Sequence, residues 1–356
     1  MNLDELLDKV RHAEPIQGAD LSHLDLSGID LSGGMFERVR FPQRMQAAIV
    51  KEATLSECDL SGCDLSGCDL HLTTFFRSKL DGAQFASGKL IAASLVESSA
   101  QRASFANCEA PIASWVKCAL AGASFEGANL DRANLVEVTA EGADFRRANL
   151  DRGTYYKLDL ATALLDGANL TLTTFVETNL GARSFAGAKL FRTQFMRGSV
   201  AGSSFAGCDA TQCNFTGVNV EACDFTDAVL TQALFGEARG SKARFLRAKL
   251  QNAIFERASL PEANFSGADL TEAYLVKASF PSAVFSGATL THADFSHCDL
   301  GAADFSQASM FRAKLHRTLR SGARIPSGAG WLGDDEELAA LEDWQPRHGG
   351  EGDARR

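Results

Sequence analysis

The chain of 356 residues is poor in several residue types that most folds lean on. It has seven prolines, three tryptophans and three tyrosines. It contains no run of 18 apolar residues, so a membrane-spanning helix is not expected. Asp4, Glu5 and Asp8 stand where a secretory leader would need positive charge followed by an apolar stretch. The expected compartment is therefore the cytoplasm. An excess of basic residues is missing too, with 35 Lys and Arg against 45 Asp and Glu. Five acids and two bases in residues 1–20 give −3, and eight acids and three bases in 334–356 give −5. The body between them holds 32 acids and 30 bases, a net of −2. A near-neutral body without a basic patch or interleaved aromatic and basic residues argues against direct nucleic-acid binding.

What the sequence has in quantity is phenylalanine, 24 in all, together with Ala, Gly and Ser in short recurring words. That bias calls for a search for repeats. From Leu55 to Leu315 every fifth residue marks a centre, without insertion or deletion, and 43 of these 53 positions are Leu or Phe. Two residues before each centre sits a small one, with Val138, Leu158, Arg183 and Val218 among the exceptions. A period of five fits neither a helix nor a simple strand alternation. It suits a chain that turns a corner every five residues, with the centre and the small residue both pointing inward. Four sides make a 20-residue coil. Coils stacked at the strand spacing of about 4.8 Å would give thirteen coils a length of roughly 65 Å. Eighteen of the 24 Phe residues lie at numbers ending in five, which places Phe on two opposite sides and Leu mainly on the other two.

Units such as Ala123-Ser124-Phe125 and Ala128-Asn129-Leu130 resemble the Ala-(Asp/Asn)-Leu-X-X consensus of the pentapeptide-repeat family, over about 300 residues. The resemblance implies an all-β solenoid: a right-handed quadrilateral parallel β-helix with no catalytic site, used as a binding surface. Short helical caps are expected at both ends. An N-terminal capping helix is assigned to 1–13, a first repeat block to 19–41 and the main β-helix to 53–317. Leu21, Leu26, Leu31, Phe36 and Phe41 obey the period in a different phase, so 42–52 reads as a phase-breaking loop or bulge. A loop over 318–333, a helix over 334–344 with Leu338 and Leu341 along one side, and a disordered tail over 345–356 complete the chain.

No catalytic constellation emerges. All nine cysteines take the small inward position, where Cys acts as a buried apolar residue. Gly328, Gly330 and Gly333 satisfy G-x-G-x-x-G, but no βαβ unit surrounds them. His292, His297 and Cys298 should diverge, the histidines outward from adjacent sides and the cysteine inward. Neither a metal nor a cofactor is expected.

One side differs from the rest. The residues just after its centres read Phe76, Val96, Val116, Val136, Tyr156, Val176 and Met196, an outward apolar stripe roughly 30 Å long. The next column alternates in sign: Glu57, Arg77, Glu97, Lys117, Glu137, Lys157, Glu177, Arg197. The column before the centres is Thr54, Thr74, Ser94, Ser114, Asn134, Thr154 and Thr174. Paired hydroxyls and opposite charges stabilise a sheet, whereas an exposed apolar strip with a polar rim marks an interface. The expected function is a non-enzymatic protein–protein scaffold or adaptor that binds an unidentified protein or self-associates as a homodimer. The family resemblance allows a bacterial accessory component of type VI secretion. The alternative it implies is a DNA mimic that binds DNA gyrase and protects it from quinolones.

Overall fold

A chain that turns every five residues needs a corner in each unit, and the φ values locate it. The second residue after a centre is left-handed, as at Gly62 (68°) and Gly82 (69°), but also at Glu57 (54°) and Arg77 (49°). Glycine adopts this conformation freely, while other L-residues incur about 1–2 kcal/mol. The computed structural model describes residues 1–328 and 330–344. In it the centre and the small residue of most units are buried, and the residue between them faces outward.

After α1 (Leu3–Arg11), ten short strands follow: β1 (Ile16–Gln17), β2 (Met35–Glu37), β3 (Thr54–Ser56), β4 (Thr74–Phe76), β5 (Ser94–Val96), β6 (Ser114–Val116), β7 (Asn134–Val136), β8 (Thr154–Tyr156), β9 (Thr174–Val176) and β10 (Gln194–Met196). All lie on one side of the coil, here side one, and pair in parallel with their sequence neighbours in a single sheet. Partners are 20 residues apart, as in Phe75 with Leu95. The remaining sides join through single bridges such as Asp64 to Gln84 and Asp69 to Lys89. The result is a four-sided β-solenoid. Side-one centres run from Ile16 to Leu315, all buried, giving a rod of about 70 Å at strand spacing.

The interior is packed by like on like. Phe205, Phe225, Phe245, Phe265, Phe285 and Phe305 stack with centroids 4.7–4.9 Å apart. Phe215 and its neighbours form the facing stack, meeting the first edge-on at 5.5 Å and 88°. Phe therefore occupies two opposite sides, as its spacing in the sequence predicts.

The segment expected to loop out at 42–52 does not. Met45 and Val50 are buried as centres, and Arg44 and Ile49 bridge to Asp64 and Asp69. Partners separated by 20 residues (Asp20 and Arg40) become 19 apart (Asp30 and Ile49, Arg40 and Asp59), then return to 20. The phase shift is thus one residue lost from a single side, Pro42–Met45, and the stack continues across it. A second irregularity occurs where Arg183 takes a small inward position. Its guanidinium donates to the carbonyls of Leu160, Ala161, Ala163 and Leu180. Burial pushes its pKa down, against the opposing pull of the Asp166 charge.

The two ends close differently. α1 has a capping box between Asn2 and Glu5 and buries Leu6 against the first coil. At the other end Leu332 makes the last rung with Lys314, and Ile325 and Trp331 pack against the core. α2 (Glu336–Glu342), capped by Asp335, follows but buries no residue. Closure of the core here falls to Ile325, Trp331 and Leu332, and α2 lies on the outside. The tail assigned to 345–356 falls outside the described residues.

Candidate functional site

Side one is flat because it alone is built of strands. β-Branched and aromatic residues after its centres favour extended backbone, and the apolar column and the strand ladder end together at Met196 in β10. The same column continues as Thr216, Gly236 and Glu256, without strand. Beneath some of the corners an inward hydroxyl ties adjacent coils: Ser78 Oγ donates to Leu55 O at 3.0 Å and Thr178 Oγ1 to Tyr155 O at 3.1 Å.

Phe76, Val96, Val116, Val136, Tyr156, Val176 and Met196 form one continuous column, each half-buried by the coils above and below. The charge ladder stands beside them on left-handed corners, with φ between 49° and 54° from Glu57 to Arg197. Sides two and three commonly place glycine at this position, for example Gly62, Gly82, Gly127 and Gly207. Side one carries a charged side chain there in eight successive coils, despite the conformational cost. Within the ladder Arg77 pairs with Glu97 at 2.8 Å and Lys157 with Glu137 at 3.9 Å. Arg77 also lies over the Phe76 ring at 4.7 Å and Lys157 over Tyr156 at 5.1 Å. The charges thus fold back over the aromatic members of the stripe.

The opposite border adds residues that the sequence reading overlooked. Leu72 and Ile112 project from the preceding corner and are 48% and 51% exposed. Their signal was available: they occupy one column, 40 residues apart. Nine free cysteines lie buried inside the coil. Burial pushes the Cys63, Cys108 and Cys298 thiols up to about 12, so they carry no reactive thiolate at neutral pH.

Sequence profiles agree with the geometry. The profile described as pentapeptide repeats matches residues 53–90, 116–152, 263–301 and 288–318, and the pentapeptide repeat region profile matches 188–265. The chain belongs to the pentapeptide-repeat family. Among solved pentapeptide-repeat structures, HetL, involved in heterocyst differentiation regulation in the cyanobacterium Nostoc sp., is 19% identical, with 88% of this chain and 97% of that chain covered and a TM-score of 0.20. Full-length QnrB1, a plasmid-mediated fluoroquinolone resistance protein, is 16% identical, covering 92% and 97%, with a TM-score of 0.16. Rfr23 from the cyanobacterium Cyanothece is 16% identical, covering 50% and 98%, with a TM-score of 0.19. No curated protein matches the sequence.

A second cluster lies at the far end of side one of this pentapeptide-repeat rod. The ladder column continues there as Arg257, Lys277, His297 and Arg317, and α2 docks on it through acids. Glu342 contacts His297 Nε2 at 3.1 Å, His316 Nε2 at 3.3 Å and Arg317 Nε at 3.2 Å. Partial desolvation pushes the Glu342 carboxyl up, but hydrogen bonds from His316 and His297 and the Arg317 charge outweigh it and hold it below its ordinary value. Cys298 and His292 diverge from His297 as expected: the Cys298 thiol donates inward to Leu275 O, and His292 packs edge-on to Phe311. His316, one coil on, is the neighbour that adjacent-residue spacing does not show.

Proposed function

We propose that this protein is a non-enzymatic scaffold that docks a protein partner, or a second copy of itself, on side one between β3 and β10. The observation that carries this reading is that the apolar column lies wholly within the strand ladder, ends with it at Met196, and is flanked over that length by the charge ladder. A side chain that served the sheet alone would not require eight charged residues on left-handed corners, where glycine is less costly. Leu72, Ile112 and the stripe give the apolar centre that interfaces use, and the charges give the polar rim. The buried free thiols are in keeping with a reducing cytoplasm. Within this reading, the family resemblance allows an accessory or adaptor role beside type VI secretion machinery.

A duplex-DNA mimic offered to DNA gyrase would need rows of uncompensated carboxylates. Arg77 with Glu97, Lys157 with Glu137, and Arg247 with Asp227 at 2.7 Å neutralise acids along the rod. These pairs count against mimicry.

The test compares wild type with a Val116→Glu, Val136→Glu, Val176→Glu triple variant. Light scattering reads self-association, and affinity capture from a cell extract reads heterologous partners. The variant should keep its β-rich circular dichroism but lose a mass step or a captured protein. Identical masses and identical captured proteins for the two folded chains would sink the proposal.

A further inference from the structure

The cluster at the C-terminal end of side one has a geometry that hydrogen bonding alone does not require. The ligand-capable atoms of His297, His316 and Glu342 all lie within 4.8 Å of one another. Glu342 Oε1 lies 3.1 Å from His297 Nε2 and Oε2 lies 3.3 Å from His316 Nε2, so each ring faces its own carboxylate oxygen. A tetrahedral ion with ligand bonds of about 2.0–2.1 Å has ligand edges of about 3.3–3.4 Å. Each of those separations is close to such an edge, and a turn of the Glu342 carboxyl is what brings a single oxygen towards both rings. The third, between the histidines, is within 4.8 Å.

We propose that His297 Nε2, His316 Nε2 and a Glu342 carboxylate oxygen form a site for a divalent transition-metal ion of the zinc class. Two imidazoles and one carboxylate are a donor set such ions favour, with a fourth position left for water. The site is built by the repeat: residues 297 and 316 are one coil apart, which brings their rings to 5.4 Å at 90°. His316 is 3% exposed, so its ring is held in place by packing.

Ligation through Nε2 requires the His316 proton to sit on Nδ1. At present the Asp335 N–H donates to Nδ1 at 3.0 Å, which places the proton of the neutral ring on Nε2, facing Glu342. On metal binding the Nε2 proton leaves, Nδ1 is protonated, and Asp334 Oδ1, 4.0 Å away, becomes its acceptor. That carboxylate then orients the ligand from behind, and the exposed Asp335 N–H turns to water.

The structural consequence concerns α2. Its apolar residues do not anchor it: Leu341 and the following Trp344 are 74% and 71% exposed. Attachment rests on Glu342 with the histidines and on Arg317, which binds Asp343, the Ala339 carbonyl and the Asp334 carboxylate. A metal ion bridging both coils to Glu342 would staple the helix to the rod.

The experiment uses the full chain stripped with a chelator and titrated with Co²⁺, whose visible absorption intensifies in a four- or five-coordinate site. One equivalent should bind, and Zn²⁺ should displace it. His297→Ala and Glu342→Gln change exposed or partly exposed side chains and should leave the fold intact. Each should weaken binding by more than the roughly 10–100-fold that outer-shell changes produce, and Asp334→Asn should weaken it by roughly 10-fold. No absorption at equimolar protein and Co²⁺ overturns the site. So does a spectrum that His297→Ala and Glu342→Gln leave unchanged, or one with thiolate charge-transfer bands, which would put the metal on cysteine.

Discussion

At the scale of single residues, the exceptions to the repeat carry the information. Trp115 and Tyr155 replace Leu or Phe as side-one centres directly beneath the stripe, and the Trp115 Nε1 and the Tyr155 hydroxyl are both buried without a hydrogen-bond partner. Gly153 makes room for the larger ring, since a Cβ there would meet Tyr155 Cε2 at 2.7 Å. An unpaired buried polar group costs about 1–3 kcal/mol. Tyr155→Phe removes the hydroxyl and keeps the stack on Phe175, so it should stabilise the chain by about 1 kcal/mol in denaturant unfolding. A loss of stability would mean that the hydroxyl is satisfied in solution. The same scale shows what a sequence can reveal. Cys, Ser and Ala at the inward position are legible because the site tolerates only small groups. His316 is not legible, because its partners Glu342 and Asp335 meet it through a docked helix that no periodicity places.

At the scale of elements, the coil is a ladder whose rungs can be checked one by one. The Phe145, Arg147 and Ser204 amides reach carbonyls of the adjacent coil at 2.8, 3.0 and 2.8 Å. Between segments 161–168 and 181–188 the Leu165, Gly167 and Ser184 amides do not form the equivalent bonds. This is the region where Arg183 enters the wall and Leu165 interrupts the Phe stack of side three. Hydrogen exchange should therefore be faster over 161–189 than in the coils on either side, because local opening there breaks fewer bonds. Arg183→Ala, the residue type most units use, should slow it. Uniform protection along the rod would contradict both statements. The period of five was readable over 53–317 because each centre obeys the same steric rule. A phase change alone does not distinguish an added residue, which would make 42–52 a loop or bulge, from the missing one that the bridges show. Burial of Met45 shows that a side of four residues can still close.

At the scale of the whole molecule, the protein is a rod with two different halves of one face. The N-terminal part presents strands, apolar side chains and paired charges. The C-terminal part presents basic and histidine side chains under an acidic helix. Along the rod Asp20, Asp25, Asp30, Asp64 and Asp304 each accept hydrogen bonds from a serine two residues on, and these hold their carboxyls below the ordinary value. A depressed carboxylate pKa stabilises the fold fully above the unfolded value of about 3.9 and loses that contribution as pH falls through the lower folded values. Thermal stability should thus be flat from neutrality to about pH 5 and fall steeply below about pH 4. A melting temperature that rises on acidification would refute the assignment. The acids concentrated in the first 20 and last 23 residues are invisible to the repeat, and several act through the end helices, as Glu5 does in the cap of α1 and Glu342 in the docking of α2.

The alternation of the charge ladder limits how anything straight could sit on side one. Its sign repeats every two coils, about 9.6 Å, so a partner bearing the complementary pattern would fit equally well after each such shift, like a toothed bar on a rack. The backbone offers no preferred tooth. Phe76 and Tyr156, four coils apart and each covered by its own cation, break that equivalence. They act as index marks: two pockets spaced at about 19 Å on a partner would select one seat from several that charge alone leaves degenerate.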